Sequence, residues 1–199
     1  MEKQLIISIG REYGSGGHEI GRHLAERFGI PFYDRSLLDE IASKKNVDVN
    51  NLAKYDEAPS RMFLSRTVRG FSNSPEQNVA QMQFEYLKEK ASNGDSFVIV
   101  GRCSDTILKE FPGFISVFIR GDYETKLERV MEKRGFSAKE AAVAIDRHDK
   151  SRRAYHNHYC SIKWGDSRNY DFCINSSKLG LDNTVDMLEE SIKRIYKSK

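Results

Sequence analysis

Apolar residues along this chain follow two different periods. Short continuous apolar runs are typical of buried strands, whereas apolar residues three or four positions apart are typical of helices packed on one side. The predicted strands are residues 5–9, 31–33, 96–100, 114–119 and 170–174. The predicted helices are residues 18–28, 35–45, 49–55, 59–71, 75–91, 104–109, 123–133, 138–155 and 181–196. Because strands alternate with helices, we expect a three-layer α/β fold with a mainly parallel sheet covered by helices on both faces.

The length of 199 residues suits a single domain, residues 1–199. The helices within residues 35–92 interrupt the alternation of strands and helices, so they are predicted to form a helical insertion that binds a substrate. Residues 136–169 are predicted to form a lid. Within them, residues 147–169 combine many charges with little apolar periodicity, and they are predicted to be loop-like from residue 156 onward.

Composition excludes several classes of protein. The net charge is +3, from 32 basic and 29 acidic residues, which is too balanced for a surface that binds duplex nucleic acid. No apolar run reaches the roughly 18 residues that a membrane span needs, and no basic-then-apolar leader opens the sequence. The cysteines Cys103, Cys160 and Cys173 are widely spaced, so we expect free thiols in a reducing compartment and a cytoplasmic protein.

The most informative stretch is a glycine-rich loop between the first strand and the first helix. Glycines allow successive backbone N–H groups to converge on an anion, and the helix N-terminus adds its dipole. A tight turn between strand and helix also needs glycine, so a turn without a ligand is the alternative. The residues predicted to cradle the phosphates of a nucleotide are Gly14, Ser15, Gly16, Gly17 and His18.

The loop departs from the usual phosphate-binding pattern, which ends in lysine and a hydroxyl residue. Gly17 and His18 stand at these two positions, and the glycine spacing is one residue longer. Arg11 is the nearest cation that could replace the lysine; alternatively, it pairs with Glu12 or Glu19 and braces the loop. A dinucleotide-binding fingerprint ending at Glu19 is disfavoured, because that position requires a small residue.

Charged side chains also follow the other predicted strands. Asp34, Arg102 and Arg120 lie at strand ends, where ligands bind in parallel α/β sheets. A second group, Arg147, Lys150, Arg152 and Arg153, would suit a lid that closes on phosphates, or a solvated helix end. A third group, Arg129, Lys133 and Arg134, lies on one predicted helix, and a solvated charged face explains it almost as well as a role in the site.

Two further patterns near residue 160 have competing interpretations. His156, His158 and Cys160 alternate and would share one side of a strand, but a zinc site is disfavoured because a fourth ligand is not evident. The aromatic residues from Tyr155 to Tyr170 lie among basic residues and could stack on single-stranded RNA. Packing of a lid against the core is the favoured interpretation of these aromatics.

Several segments together resemble the cytidylate kinase-like proteins, relatives of bacterial cytidylate kinase with a phosphate-binding loop. The segments are I-S-I-G-R-E-Y-G-S-G-G-H-E-I-G, G-I-P-F-Y-D-R, V-I-V-G-R, H-D-K-S-R-R-A-Y and W-G-D-S-R-N-Y-D-F-C-I-N-S-S-K-L-G. The resemblance covers nearly the whole chain in the same order. It implies the fold of the nucleoside kinases with a phosphate-binding loop, with a helical lid and an acceptor-binding lobe.

The resemblance also implies roles for individual residues. Arg102 is similar to the arginine that holds a nucleoside monophosphate, and Asp34, followed by Arg35, is similar to the start of the monophosphate lobe. Asp149 and Arg152 are similar to the lid and acceptor-site segment. Together with the cations of the loop and of the predicted lid, the residues expected to act in catalysis or in acceptor binding are Arg11, Lys150, Arg152, Arg153, Asp34, Arg35, Arg102 and Asp149.

The activity expected from loop and resemblance together is phosphoryl transfer from ATP to a nucleoside monophosphate, with CMP or dCMP first. Mg²⁺ would bridge the donor oxygens, and Asp105 is a candidate for a water-mediated contact with it. The expected partners are small nucleotides, and we expect the protein to bind neither nucleic acid nor a membrane. Two alternatives stay open, namely a kinase for another small metabolite and a regulatory protein that binds a nucleotide without turnover.

Overall fold

The computed structural model describes residues 3–45, 48–56, 67–68, 71–72 and 74–198 of the chain. Its main sheet has five strands in the order β2-β5-β1-β6-β7, and all neighbouring strands are parallel. These strands are β1 (Ile6–Arg11), β2 (Phe32–Tyr33), β5 (Phe97–Val100), β6 (Phe114–Arg120) and β7 (Phe172–Asn175). A separate antiparallel pair consists of β3 (Thr67–Val68) and β4 (Phe71–Ser72). The parallel sheet confirms the predicted α/β fold.

Helices connect the strands and cover both faces of the sheet. They are α1 (Gly17–Phe28), α2 (Leu37–Lys45), α3 (Val49–Ala53), α4 (Pro75–Ser92), α5 (Ser104–Ile107), α6 (Tyr123–Arg134), α7 (Ala138–Tyr159), α8 (Ser176–Leu179) and α9 (Leu181–Ser198). A short 3₁₀ helix spans Ser167–Asn169. In the described part of the chain, no helix is both long and apolar enough to cross a membrane.

The side chains of β1 supply both halves of the core because a strand alternates its faces. Ile7 and Ile9 pack in the cluster that α1 and α9 cover, whereas Ile6 packs in the cluster that α2 and α4 cover. All three isoleucines are fully buried. Burial of one such side chain stabilises the fold by about 1.5–3 kcal/mol. The central strand is therefore fixed on both faces, and the loop that follows it starts from a rigid position.

The structure corrects two predicted elements. Residues 67–68 and 71–72 are strands, so the helix predicted for residues 59–71 is wrong at these positions, and the rest of that helix lies outside the described residues. α7 extends to Tyr159, four residues beyond its predicted end at residue 155. The capping box of Ser137 and Glu140 starts this helix as predicted, but neither Gly nor Pro interrupts it before Cys160.

Candidate active site

The glycine loop joins the carboxyl end of β1 to the first turn of α1. Gly14 and Gly16 have φ values of 80° and 81°, in the left-handed region that favours glycine. A Cβ atom at Gly14 would lie 2.9 Å from the backbone oxygen of Lys126, and one at Gly16 would lie 2.3 Å from Leu181 Cδ2. Both positions therefore favour glycine for conformation, and Gly14 also requires it for space because the neighbouring atom belongs to the backbone.

The loop opens into a cavity that could hold the phosphates of a nucleotide. Its volume is about 330 Å³, and loop residues line it together with residues of α6 and Arg152 of α7. The residue before α1 is Gly16, which has no side chain to cap the helix, and the N–H of Gly17 lies 3.4 Å from Ser15 Oγ. The first N–H groups of the helix and the positive end of the helix dipole favour an anion there. The residues present thus fit a phosphate group.

Arg11 competes for space with any side chain at Gly17, the position where the usual loop has lysine. A Cβ atom at Gly17 would lie 2.6 Å from Arg11 Cβ and 3.3 Å from Arg11 Cγ. Atoms of side chains do not approach so closely, so the stem of Arg11 occupies the place where a lysine side chain would begin. Arg11 also lines the cavity in front of the loop. The positive charge in this loop can therefore come from β1 instead of α1.

The carboxylates that could have paired with Arg11 have other cationic partners. Glu12 Oε2 lies 3.0 Å from Lys126 Nζ, and Glu19 Oε1 lies 2.5 Å from Lys133 Nζ. Glu12 and Glu19 are therefore each neutralised by a lysine, and the alternative that Arg11 braces the loop stays open.

His18 links the loop helix to the end of β2. Its Nε2 donates a hydrogen bond of 2.7 Å to Asp34 Oδ2, and Asp34 Oδ1 accepts from the N–H of Ser36 at 2.8 Å. Burial, the largest influence, acts to raise the pKa of Asp34. The hydrogen bonds from His18 and Ser36 outweigh burial, so the pKa lies below its ordinary value. Two predicted site residues are thus brought together, and the His18 imidazole points to a carboxylate.

One face of α6 contributes cations for which the sequence left open a role in the site or a solvated face. Arg129 donates a hydrogen bond of 2.6 Å from Nη1 to the carbonyl oxygen of Gly14, and Lys133 and Arg134 line the cavity. Lys126, Arg129 and Lys133 are three and four positions apart, which places them on one side of a helix. That spacing, on a face shared with the buried Val130, is the signal that could have identified them.

Lys126 and Asp149 lie beneath the loop. Lys126 is 7% exposed, and its Nζ lies between Glu12 and Asp149 Oδ2, 3.5 Å from the latter. Asp149 Oδ1 accepts a hydrogen bond of 2.6 Å from the N–H of Tyr13. Burial raises the pKa of Asp149. Asp149, expected at the acceptor, is therefore placed by the structure against the loop backbone.

The cations predicted on the lid have different surroundings. Arg152 donates from Nη1 to the carbonyl oxygen of Arg11 at 3.4 Å, and its guanidinium lies 5.6 Å above the ring of Tyr13. The guanidinium of Arg153 lies 5.5 Å from the centre of the Trp164 ring, and Lys150 is exposed. Among these three, Arg152 is the residue that the structure brings to the loop.

Arg102 is held in a buried ion pair at the end of β5. Its Nη2 lies 2.7 Å from Asp56 Oδ2, with the two side chains 3% and 8% exposed. Asp56 Oδ1 also accepts from Gln83, and Arg35 Nε lies 3.9 Å from Asp56 Oδ2. Arg102 and the next residue, Cys103, have φ values of 57° and 55°, a strained conformation that is concentrated at functional sites. Arg102 can bind an anion only if Asp56 shares it or moves.

Asp105 belongs to a buried cluster instead of the donor site. Its Oδ2 accepts hydrogen bonds of 2.8 Å from His156 Nε2 and 2.9 Å from the hydroxyl of Tyr170. Since that oxygen already has two donors, we do not retain Asp105 as a contact of magnesium.

The metal ligands considered from the sequence, His156, His158 and Cys160, are not brought together on a strand. They lie at the end of α7, and His158 is exposed. In the part of the chain that the structure describes, one group has the spacing of metal ligands, and it contains Asp105 instead of His158. The ligand atoms of Asp105, His156 and Cys160 lie within 4.8 Å of one another. Because the His156 imidazole and the Asp105 carboxylate are hydrogen-bonded to each other, we assign no metal to this group.

The aromatic residues of this region pack against the core. Phe118 of β6 contacts the rings of Trp164 and Tyr170, with centroid distances of 5.2 and 5.1 Å. Tyr155 is 3% exposed and packs with Tyr159. This arrangement supports packing of the segment against the sheet as the role of these aromatics.

A parallel sheet whose central strand leads through a glycine loop into a helix N-terminus defines an α/β fold of the nucleotide-kinase type. The fold is similar to that of a shikimate kinase from Bacteroides thetaiotaomicron, with a TM-score of 0.55 and 15% identity over 95% of this chain and 98% of the other. A solved uncharacterized protein from Eubacterium ventriosum is 41% identical, with a TM-score of 0.76 over 96% of this chain and 99% of the other.

The chain belongs to the cytidylate kinase-like family, whose sequence model matches residues 6–178. It is similar to the cytidylate kinase of Pyrococcus horikoshii, with 24% identity over 194 residues that cover 96% of this chain and 90% of the relative. Family and fold together support kinase activity, which implies the use of ATP.

Proposed function

We propose that this protein transfers the γ-phosphoryl group of ATP to a nucleoside monophosphate, with CMP or dCMP as the first candidates. The acceptor rests on the family and on the cytidylate kinases among the relatives. The observation that carries the proposal is the position of Arg11, whose stem lies where the side chain at Gly17 would be. This position would bring a cation to the place where the usual loop has its lysine.

On the donor side, the N–H groups of residues 14–18 would bind the β- and γ-phosphates at the start of α1. Arg11 and Arg152, which both line the loop cavity, would add positive charge around the transferring group. Mg²⁺ bound to ATP would neutralise part of the charge that develops on the phosphate oxygens. It would be held through those oxygens, since Glu12 pairs with Lys126 and Asp105 with His156.

On the acceptor side, the end of β5 and the end of β2 would hold the monophosphate. Arg102 is placed there by the strained turn after β5, and Asp34 and Arg35 follow β2. Residues 35–92 would form the wall of the acceptor pocket, and residues 136–169 would close over both substrates with Lys150 and Arg153. Since no covalent intermediate is needed, catalysis would consist of positioning and charge neutralisation.

The test is an acceptor panel in which ADP formation from Mg·ATP is followed with the purified chain. We expect CMP or dCMP to increase ADP formation well above the rate with ATP alone. Arg22→Ala provides a matched control for Arg11→Ala in this assay, because Arg22 lies on α1 and pairs with Glu26 on the exposed side of that helix. If another small metabolite were the acceptor, the alternative kinase would replace this proposal. Binding of ATP without turnover of any acceptor would favour a regulatory protein.

A further inference from the structure

Two cysteines meet in the interior where the end of β5 contacts the end of α7. Cys103 is 4% exposed and precedes α5, and Cys160 is 8% exposed and follows α7. Both pack with Ala80 and Tyr155 in one apolar cluster. The proposed phosphoryl transfer uses neither thiol. The remaining cysteine, Cys173, is exposed on β7.

The two thiols lie in one buried cluster although they are far apart in the sequence. The Cys103 side chain is also the largest influence on the pKa of Cys160, which it lowers. Cys103 takes this place through a left-handed backbone conformation with φ 55°, which is uncommon for a residue other than glycine. The strained turn after β5 therefore directs Cys103 to the end of α7.

A histidine and a carboxylate complete the arrangement around Cys160. His156 is one helical turn before Cys160, and one of its ring nitrogens lies within 4.8 Å of the Cys160 sulfur, while its Nε2 donates to Asp105 Oδ2 at 2.8 Å. Tyr170 also donates to Asp105, so the carboxylate is fixed in place. The Cys103 side chain and His156 lower the pKa of Cys160 to about 6, although burial acts in the opposite direction. An imidazole held in this way can accept and return the proton of the thiol.

A small cavity reaches this cluster from the carboxyl ends of the strands. Its volume is about 20 Å³, and its lining includes Cys103, Asp105 and His156 as well as Arg11 and Gly10. A space of this size holds roughly one water molecule. It therefore extends a water-sized space from the proposed substrate site to Cys103 and His156, next to the cluster that contains Cys160.

We propose that Cys103 and Cys160 form an oxidisable dithiol site that hydrogen peroxide, or another small hydroperoxide, converts to an intramolecular disulfide. The Cys160 thiolate attacks one peroxide oxygen, the O–O bond breaks, and the leaving hydroxide takes a proton from His156 to give water. Cys160 is then a sulfenic acid. The sulfur of Cys103 attacks the Cys160 sulfur, the S–O bond breaks, and hydroxide leaves with the Cys103 proton as water. The two thiols lose two electrons, which reduce the peroxide to water.

The disulfide would connect Cys103, the residue after Arg102, to Cys160, which follows α7 within the predicted lid. A disulfide brings its sulfur atoms to about 2.05 Å, closer than two thiols that are not bonded to each other. The end of β5 and the end of α7 would move together as a result. We therefore expect the oxidised protein to have a higher melting temperature than the reduced protein.

The experiment oxidises the reduced protein with hydrogen peroxide, blocks the remaining thiols by alkylation and maps the peptides by mass spectrometry. We expect a peptide crosslinked through Cys103 and Cys160, with Cys173 alkylated. Cys173→Ser is the matched control and should give the same crosslink. Cys103→Ser should stop at a sulfenic acid on Cys160 that dimedone traps, and His156→Gln should slow the crosslink at least tenfold.

Several outcomes would overturn the proposal. One is that the thiols of Cys103 and Cys160 both stay available for alkylation after peroxide, and another is that crosslinks form exclusively between chains through Cys173. A third is that purified protein contains one zinc ion that protects both thiols until a chelator removes it, which would assign the cluster to a metal. Far-ultraviolet circular dichroism of Cys103→Ser and of Cys103→Ala checks that each variant is folded. The mass readout does not depend on kinase activity, so failure of the proposed function leaves this test intact.

Discussion

Arg11 and Gly17 show how two residues can exchange a role within one loop. A lysine at position 17 and the present Arg11 cannot both be accommodated, because their first side-chain carbons would be 2.6 Å apart. The chain has placed its long cationic side chain on β1 and a glycine on α1. In the proposed mechanism, the loop would keep its backbone cradle for phosphate while the positive charge would come from the other side.

Removal of the Arg11 guanidinium should affect turnover much more than folding. We expect Arg11→Ala to lower turnover by roughly 10²–10³, because a cation that stabilises transferring charge acts most strongly in a site shielded from water. The melting temperature should change little. Steady-state kinetics and thermal unfolding of Arg11→Ala, with Arg22→Ala as the control, measure both quantities.

A double variant sharpens this test. Arg11→Gly combined with Gly17→Lys removes the steric conflict and restores the usual position of the cation. It should recover part of the turnover that Arg11→Gly alone loses. A stable Arg11→Ala protein with wild-type turnover would show that Arg11 has no part in phosphoryl transfer.

Asp34 should contribute stability that is lost in acid. Its folded pKa lies below the ordinary value of 3.8, so its contribution is present above that pH and disappears as the pH falls through the folded value. The effect should stay below about 1 kcal/mol, because the partner His18 is half exposed and solvent screens the pair. Urea unfolding of the wild type and of Asp34→Asn, at about pH 6 and about pH 3, should give a difference that shrinks in acid. A difference of equal size at both pH values would exclude the Asp34 carboxylate as its source.

The sequence identified the residues of the loop but not all of their partners. Glycine density, strand and helix predict the cradle from neighbouring residues alone, and Arg11 follows from the missing lysine. The contact of Arg129 with the carbonyl of Gly14 joins residues far apart in the chain, so local pattern could not establish it. The same holds for Asp149, which the structure places against the N–H of Tyr13.

At the scale of elements, the turn after β5 combines a strained backbone with a buried ion pair. Arg102→Ala would leave Asp56 buried without its guanidinium, which typically costs 3–5 kcal/mol. We therefore expect Arg102→Ala to destabilise the protein strongly, and Arg102→Ala with Asp56→Asn to recover most of the free energy of unfolding. Denaturant titrations of the wild type, of the two single variants and of the double variant measure this coupling.

The double variant also separates structure from acceptor binding. If Arg102 holds the monophosphate, the refolded double variant should still use the acceptor poorly, with a loss of roughly 2–4 kcal/mol in kcat/KM. If the double variant had the kcat/KM of the wild type, Arg102 would have a structural role and no role in acceptor binding.

The segment of residues 147–169 should become protected when both substrates bind. Within this segment, Arg152 contacts the loop and Arg153 lies over the ring of Trp164. The segment begins in α7, which packs on α6. Closure on ATP and an acceptor should slow amide exchange there while the strands of the sheet stay unchanged. Hydrogen exchange with and without Mg·ATP and CMP provides the comparison. Equal exchange rates with and without the substrates would contradict the assignment of this segment as a lid.

Element prediction succeeded where local chemistry is decisive. The capping box at Ser137 and the glycine after α6 set two helix boundaries correctly. It failed between residues 67 and 72, where the strand pair β3–β4 depends on the partner strand and not on a period within either segment. Asp56 likewise lies in a polar, irregular stretch, so its ion pair with Arg102 had no sequence signal.

For the whole molecule, the order of the strands explains why one site can collect distant residues. β1 lies between β5 and β6, so the glycine loop, the turn after β5 and the end of β6 are neighbours at one edge of the sheet. Ligands of parallel α/β folds bind at such an edge. The alternation of strands and helices predicts this edge, but not the lateral order of the strands, which depends on long-range packing.

The account stands on the transfer of a phosphoryl group at the glycine loop. The most direct measurement supplies ATP labelled in its γ-phosphoryl group together with CMP and Mg²⁺, and identifies the labelled product by mass spectrometry. We predict labelled CDP from the wild type and a rate lower by roughly 10²–10³ from Arg11→Ala. Label found exclusively in inorganic phosphate or in unreacted ATP, across CMP and the other nucleoside monophosphates, would contradict the account.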